Sequence, residues 1–300
     1  MNKNSTYIKV TFIALLIGAL PILSVAQGYQ PSEERSSFRL RAQSDMDANR
    51  LRSSYYNHGH SGAIDNDDPR QLKYEFPKNT GRLYMYFLSI HFGTQVKSQS
   101  NPSETLEIVN VAQFKENRDG TQNWSLNPIE GYQRDNSGEI ARSDRGPDSP
   151  LGNTWPNSWP DKFEDGGDGW ANSWNGFFGR DQFNADVEFY YKAGDDRYTR
   201  FSSTGGFRPD DSDPSRGGLG IIMDTRILAW SQILVSSTHF NIFEITNDSD
   251  YDYQRMAFGL WIADLVGGGN GRTTNQPEFD NIRAIAYLTG SRPRKYSKCI

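Results

Sequence analysis

The chain has 300 residues, a net charge of −5, 35% hydrophobic and 13% aromatic residues, 28 glycines and 14 prolines. Apolar content below the roughly 45–50% of ordinary globular chains excludes a multi-span membrane protein, and so much glycine and proline excludes a helical bundle or coiled coil. The aromatic content argues against disorder, and an acidic chain without a basic run argues against nucleic acid as a partner.

The N-terminus has the layout of an export signal. Lys3 and Lys9 give a positive start, and Val10 to Val25 is apolar except at Thr11, Gly18, Pro21 and Ser24. Ser24-Val25-Ala26 then offers small residues at the −3 and −1 positions of a cleavage site. The stretch is shorter than the about 20 residues a membrane helix needs, and Pro21 interrupts it. Residues 1–26 therefore read as a Sec signal peptide, cleaved before Gln27. The protein is expected in the periplasm, at the cell surface or outside the cell, with no membrane span after cleavage. The single cysteine, Cys299, allows no internal disulfide.

Residues 27–75 are polar and Arg-rich and read as an N-terminal lead-in with a helical tendency over 38–51. Leu83 to Phe92 is apolar on both faces and reads as a strand buried on both sides. Leu106 to Phe114 reads as a weaker strand. Residues 115–184 are dominated by Gly, Asp, Asn, Pro, Ser and Trp. So long a connection inside a domain must be ordered, so short strands and local packing are expected there. Regular strands resume at Ala185 to Lys192, where Val187, Phe189 and Tyr191 alternate with Asp186, Glu188 and Tyr190. Leu219, Ile222, Met223, Trp230, Ile233 and Leu234 have nearly helical spacing, yet Ile and Val favour strands, so Leu219 to Val235 reads as strands broken near Ser231; His239 to Thr246, Arg255 to Val266 and Ile282 to Leu288 follow. The polar stretch Asn247 to Asp252 looks like the loop of an antiparallel pair. Aromatic strands with turn-rich connections make the expected fold all-β: a β-sandwich over 76–290, with long ordered Trp/Gly/Asp-rich loops and a basic tail over 291–300. Trp230 and Trp261 have apolar neighbours on either side and are expected in its core.

Chemistry-bearing motifs are few. The chain has no G-x-S-x-G elbow, no H-E-x-x-H and no Cys–His pair of catalytic type. His58-Gly-His60 offers two imidazoles to a metal, although a lone H-x-H in a flexible segment more often has no role. His91 and His239 fall within strand patterns. The glycine run Gly267 to Gly271 is not followed by a helix start and reads as a turn. Asp248, Asp250 and Asp252 place carboxylates at alternate loop positions, as Ca²⁺ coordination does. Tyr253 stands where the EF-hand pattern wants glycine, and a solvated strand connection would carry the same residues. Ca²⁺ is the candidate ion. A second acidic group, Asp161, Glu164, Asp165 and Asp168, is interleaved with glycines.

The segment holding Trp155, Trp159, Trp170 and Trp174 is the candidate ligand-binding site. Indoles stack on the apolar face of a pyranose while Asp and Asn take its hydroxyls. The competing role is structural, since indoles also anchor long polar loops. A glycosidase needs two carboxylates about 5–10 Å apart, and 37 acidic residues do not single out a pair. Asp186 and Glu188 share a strand face, which alternation alone explains.

A family likeness rests on several segments in order: Trp155-Pro-Asn-Ser-Trp-Pro-Asp161, Trp174-Asn-Gly-Phe-Phe-Gly179, Ala185-Asp-Val-Glu-Phe-Tyr-Tyr191, Gly218-Leu-Gly220 with Ala229-Trp-Ser231, Phe243-Glu-Ile-Thr-Asn247 and Phe258-Gly-Leu-Trp261. Together they resemble a functionally uncharacterised group of exported β-rich proteins of Bacteroidota-type bacteria. The likeness covers about residues 50–290. Longer members of that group often end in a type IX secretion sorting domain, where this chain has Arg292-Pro-Arg-Lys-Tyr-Ser-Lys-Cys-Ile300. The resemblance implies export and a β-rich fold and carries no activity. The expectation is an exported, non-catalytic β-sandwich with a structural or binding role, its partners polysaccharide or cell-surface components. A carbohydrate-binding module using Trp155–Trp174 and an extracellular glycan-degrading enzyme are the alternatives.

Overall fold

A computed structural model describes residues 36–64, 68–112, 126–164, 167–264, 275–280 and 285–290. The signal peptide, residues 115–125, Asp165, the glycine run and Cys299 lie outside them. In chain order the strands are β1 (Gln43–Met46), β2 (Ser53–Tyr56), β3 (His60–Gly62), β4 (Tyr74–Glu75), β5 (Leu83–Lys97), β6 (Thr105–Val111), β7 (Asn127–Pro128), β8 (Ala141–Arg142), β9 (Asn175–Gly176), β10 (Gly179–Arg180), β11 (Val187–Gly194), β12 (Ile221–Ala229), β13 (His239–Asn247), β14 (Met256–Asp264), β15 (Asn275–Asp280) and β16 (Ile285–Gly290). Short 3-10 turns are the only helical elements among the described residues, and no helix there is long and apolar enough to cross a membrane.

Two antiparallel sheets build the domain. The first runs β1-β2-β3-β5-β14, with β4 and β6 also paired to β5. The second runs β13-β12-β11-β7, with β8 also on β11. Period-2 alternation directs one face of each sheet inward. On β12 these positions are Ile221, Met223, Thr225, Ile227 and Ala229, all buried. Val187, Phe189, Tyr191 and Ala193 from β11 join them, and Met46, Tyr55, Ile90, Phe92 and Ile108 face them from the first sheet. The Tyr55 ring meets Phe189 edge-on with centroids 6.1 Å apart. Burial of each large side chain stabilises the fold by about 1.5–3 kcal/mol, and the all-β sandwich is the architecture the aromatic strands predict.

Several local expectations are corrected. The lead-in is not separate from the domain, because β1 to β4 lie in the first sheet and only Phe38–Leu40 is helical, as one 3-10 turn. Their polar residues are buried by pairing rather than by apolarity: Asn57 accepts from the Ala42 N–H at 2.8 Å and donates to the Leu40 carbonyl at 2.7 Å. Double burial of the first long strand holds only at its centre, where Phe87 and Ser89 on one face and Ile90 and Phe92 on the other are enclosed, while Tyr84 is exposed. Asn247 to Asp252 does not close a hairpin, because β13 pairs with β12 and β14 with β5. A polar loop of this length spans the about 10 Å between stacked sheets as readily as the gap between neighbouring strands, so its composition does not distinguish the two. Trp230 and Trp261 are not in the core. Trp261 is 50% exposed on edge strand β14. Trp230 lies just past β12, half-buried against Phe240, its Nε1 donating to the Asn184 carbonyl at 2.7 Å. Apolar neighbours mark a strand and say nothing of its place in the sheet.

Candidate functional site

The outer face of the second sheet is the most elaborate surface of the molecule. Glu188 and Tyr190, which alternation points away from the core, are buried all the same. What covers them is the aromatic excursion preceding β11. Trp155, Trp159 and Trp174 are buried there. The Trp174 ring lies 5.5 Å from both Trp155 and Trp159, and Trp159 continues to Tyr190 at 5.7 Å. Each indole N–H is matched: Trp155 to the Arg142 carbonyl at 2.8 Å, Trp159 to the Ser173 carbonyl at 2.9 Å, Trp174 to Glu188 Oε2 at 3.2 Å. Gly146 is required by the Trp155 ring, because a Cβ at that position would come within 2.8 Å of it.

Beneath the indoles lies a closed polar network. Glu188 Oε1 accepts from the Phe177 N–H at 3.0 Å and from Arg226 Nη1 at 2.5 Å. Arg226 also donates to the Asn175 carbonyl at 2.6 Å and to Asn175 Oδ1 at 3.2 Å, and its guanidinium sits 3.8 Å over the Tyr190 ring. Asp161 Oδ1 accepts from Asn175 Nδ2 at 3.3 Å, and its Oδ2 from the Tyr190 hydroxyl at 3.4 Å. Burial, then Asp161 and Asp224, hold the Tyr190 phenol well above its ordinary range. Lys192 pairs with Asp224 at 3.1 Å, and burial raises the Asp224 carboxyl in spite of that lysine. Glu188 thus has both oxygens committed to three donors. Asp186, its strand-face neighbour, accepts from the Ser231 N–H. These two carboxylates are held apart by separate structural partners.

Of the two roles open to these indoles, stacking on a sugar or anchoring the loop, the burial of Trp155, Trp159 and Trp174 fits the anchoring one. Trp170 differs. It is half-buried, sits at φ +53° in the left-handed region, and carries the Lys162 ammonium 4.9 Å above its ring. What the excursion shows to solvent is phenylalanine. Phe177 and Phe178 form the tip between β9 and β10, their rings 4.9 Å apart, both exposed. Phe163 and Phe183 are exposed nearby in sequence, and Phe183 stacks on Trp155 at 6.4 Å. These four rings were missed because phenylalanine reads as core, and the cue was Phe-Phe flanked by glycines in Asn175-Gly-Phe-Phe-Gly179.

The acidic loop disperses. Asp248 Oδ2 accepts from Arg216 Nη2 at 3.1 Å, Asp250 Oδ2 from the Asp211 N–H at 3.0 Å, and Asp252 is exposed. Among the described residues no group of three or more His, Cys, Asp or Glu is placed to hold a metal. Of the second acidic group, Asp168 pairs with Arg180 at 3.0 Å. Arg216 also reaches Asp196 at 2.8 Å and Asp210 at 3.2 Å, tying three loops together. Asp195, beside it, is fully enclosed and accepts from the Leu219 N–H at 2.7 Å, the Ile221 N–H at 2.8 Å and Asn110 Nδ2. Burial pushes it up to about 7. His58 and His60 are buried with stacked rings 6.4 Å apart, and their rings lie 5.6 and 5.5 Å from that of Tyr56. Burial drives His58 well below its ordinary range and His60 down to about 4, so both are neutral packing groups near pH 7. His239 Nε2 lies 3.1 Å from the Leu51 carbonyl and its Nδ1 3.1 Å from the Tyr55 hydroxyl, and burial brings it to about 4. Comparison with protein-family models, with curated proteins and with solved structures returns no match.

Proposed function

We propose that the protein is an exported, non-catalytic β-sandwich that binds polysaccharide or another cell-surface component through the tip of its aromatic excursion. The observation that supports this reading is the sorting of aromatics in residues 155–183: indoles buried and hydrogen-bonded beneath, phenylalanines 163, 177, 178 and 183 presented to water above. Scattered exposed apolar residues are ordinary, but two adjacent rings at the tip of a braced hairpin cost solvation without stabilising the fold. A non-catalytic role is favoured because the best-buried carboxylate of the region, Glu188, is enclosed and has both oxygens engaged by structural donors. Affinity electrophoresis of the exported protein in gels cast with soluble polysaccharides tests the reading. Retardation by at least one polysaccharide, abolished in Phe177→Ala/Phe178→Ala, is expected. Release of new reducing ends, or retardation indifferent to both phenylalanines, would overturn it.

A further inference from the structure

Strand β14 has the sequence of an internal strand in the position of an edge. Among the described strands it pairs only with β5. Phe258, Leu260 and Ile262 on its inner face continue the core surface of Phe92, Ile90 and Leu88, their partners on β5. They are nonetheless 49%, 51% and 39% exposed, and Trp261 on the other face is 50% exposed. From Ala257 to Ala263 the strand has no charge and no proline. Natural edges are blunted by charges, as at β1 with Asp45, β6 with Glu107 and β13 with Glu244. Over Ala257 to Ala263, β14 leaves its row of backbone donors and acceptors unguarded by charge or proline.

The sequence of β14 is self-complementary about Leu260. We infer that two copies of the chain pair β14 with β14 in antiparallel register across a two-fold axis at Leu260, joining their first sheets into one. That register sets Ala257 opposite Ala263, Phe258 opposite Ile262 and Gly259 opposite Trp261 of the second copy. Opposite residues share a face. The inner faces then merge Phe258, Leu260 and Ile262 with their counterparts into one apolar strip. On the outer face each Trp261 ring lies over the bare Gly259 backbone, a cross-strand aromatic covering a strand glycine. The contact is isologous, so it closes at two copies and removes the edge rather than propagating a fibre. The alternative occupant is the chain's own hairpin β15–β16, whose strands pair with each other. In β15, Pro277 at the middle lacks the N–H that a strand inserted between β14 and β16 would use.

Register-specific cross-linking of the exported chain tests this, in a Cys299→Ser background. In the inferred pairing the two Leu260 Cα atoms lie roughly 4.5–5.5 Å apart, within disulfide reach. The two Phe258 Cα atoms are four residues out of step, roughly 14 Å apart and beyond it. Both side chains are half exposed, so neither variant empties the core. Sedimentation of the parent chain should give a particle of two chains. Mild oxidation should cross-link Leu260→Cys and leave Phe258→Cys largely uncoupled, a yield ratio of about tenfold or more. Leu260→Lys, which sets like charges face to face on the axis, should sediment as one chain with its melting temperature in the range of the monomer. A single-chain parent particle would overturn the inference and return β14 to an intramolecular cover, and equal cross-linking of both cysteine variants would overturn the register.

Discussion

Removal of the Glu188 carboxylate tests whether the outer face of the second sheet is built as an anchor. In Glu188→Ala the Phe177 N–H and the Trp174 Nε1–H lose that acceptor, and the Arg226 guanidinium loses its carboxylate partner among the described residues. Breaking a buried ion pair by deleting one partner costs about 3–5 kcal/mol, and each stranded neutral donor about 1–3 kcal/mol. Arg226 keeps two bonds to Asn175, which limits the damage. A loss of about 4–6 kcal/mol is therefore expected, against a total stability of about 5–15 kcal/mol. Urea melts followed by tryptophan fluorescence would show it as a fall in midpoint at unchanged slope. The companion Glu188→Leu/Arg226→Met removes both charges and refills the space with apolar atoms. Because the penalty of the single variant is mostly that of an orphaned buried charge, the double variant should recover at least half of the loss. A Glu188→Ala protein that melts within about 0.5 kcal/mol of the parent would refute the anchor, and so would a double variant worse than the single one.

The same reasoning orders the tryptophans: Trp159→Ala and Trp174→Ala should each cost about 3–5 kcal/mol by cavity formation, while Trp261→Ala, half exposed, should cost under about 1 kcal/mol in the monomeric Leu260→Lys background. Denaturant melts of the set check the order. Acid should destabilise the fold through His60 and His239, both held neutral at about 4 by burial. The unfolded chain, titrating near 6.5, binds more protons than the native state between those values, so stability present above pH 6.5 drains away as pH falls through 4, by roughly 3 kcal/mol per histidine. Asp195, raised to about 7, opposes this, since its native state already holds a proton that the unfolded carboxyl releases near 3.8. Melts at pH 4.5 and 7 should therefore differ less in His239→Gln and more in Asp195→Asn than in the parent. Arg216 already neutralises Asp248, so melts in EDTA and in millimolar Ca²⁺ are expected to coincide, and a rise in Ca²⁺ would show that the acidic loop regroups around the ion.

Strand identity was legible where alternation and aromatic residues coincide, as in Val187-Glu-Phe-Tyr-Tyr191, whereas Leu219 to Val235, with its nearly helical spacing, reads as strand only through its Ile and Val. Strand partnership was not. Nothing in Asn247 to Asp252 says whether the next strand turns back beside β13 or crosses to the other sheet, because both paths need only a solvated loop. Burial follows what covers a strand rather than what flanks a residue in sequence. Trp261 sits in an apolar run and is exposed because β14 is an edge, whereas Trp174 sits among Asn, Ser and Gly and is buried because the excursion folds back over β11. Local sequence reports how a residue's neighbours meet water in a strand. It carries no report of what arrives from fifty residues away to cover them. The first sheet's polar strands show the same limit, since Asn57 and Ser61 are buried by partners on distant segments.

The division between buried indoles and exposed phenylalanines also explains the backbone of the excursion. Trp170, Asn172 and Asp181 all hold positive φ, a conformation that costs a non-glycine residue of order 1 kcal/mol or more. Asn and Asp tolerate it through local bonds, and the Asp181 carboxylate accepts from the Trp174 N–H at 2.7 Å. Trp170 has no such side chain, and its N–H is held instead by Asp168 Oδ1 at 2.9 Å. Three strained residues within twelve positions persist only where surrounding contacts fix them more strongly than they relax. Those contacts are the Trp155–Trp174–Trp159 stack and the Glu188–Arg226 pair that grips Asn175 and Phe177. A tip so fixed loses little freedom when a ligand settles on Phe177 and Phe178, and low ordering cost is what lets two exposed rings bind at all. Loosening the base should therefore weaken ligand capture before it unfolds the domain: Trp174→Phe, which keeps the packing but drops the Glu188 bond, is expected to lower affinity while leaving both phenylalanines in place.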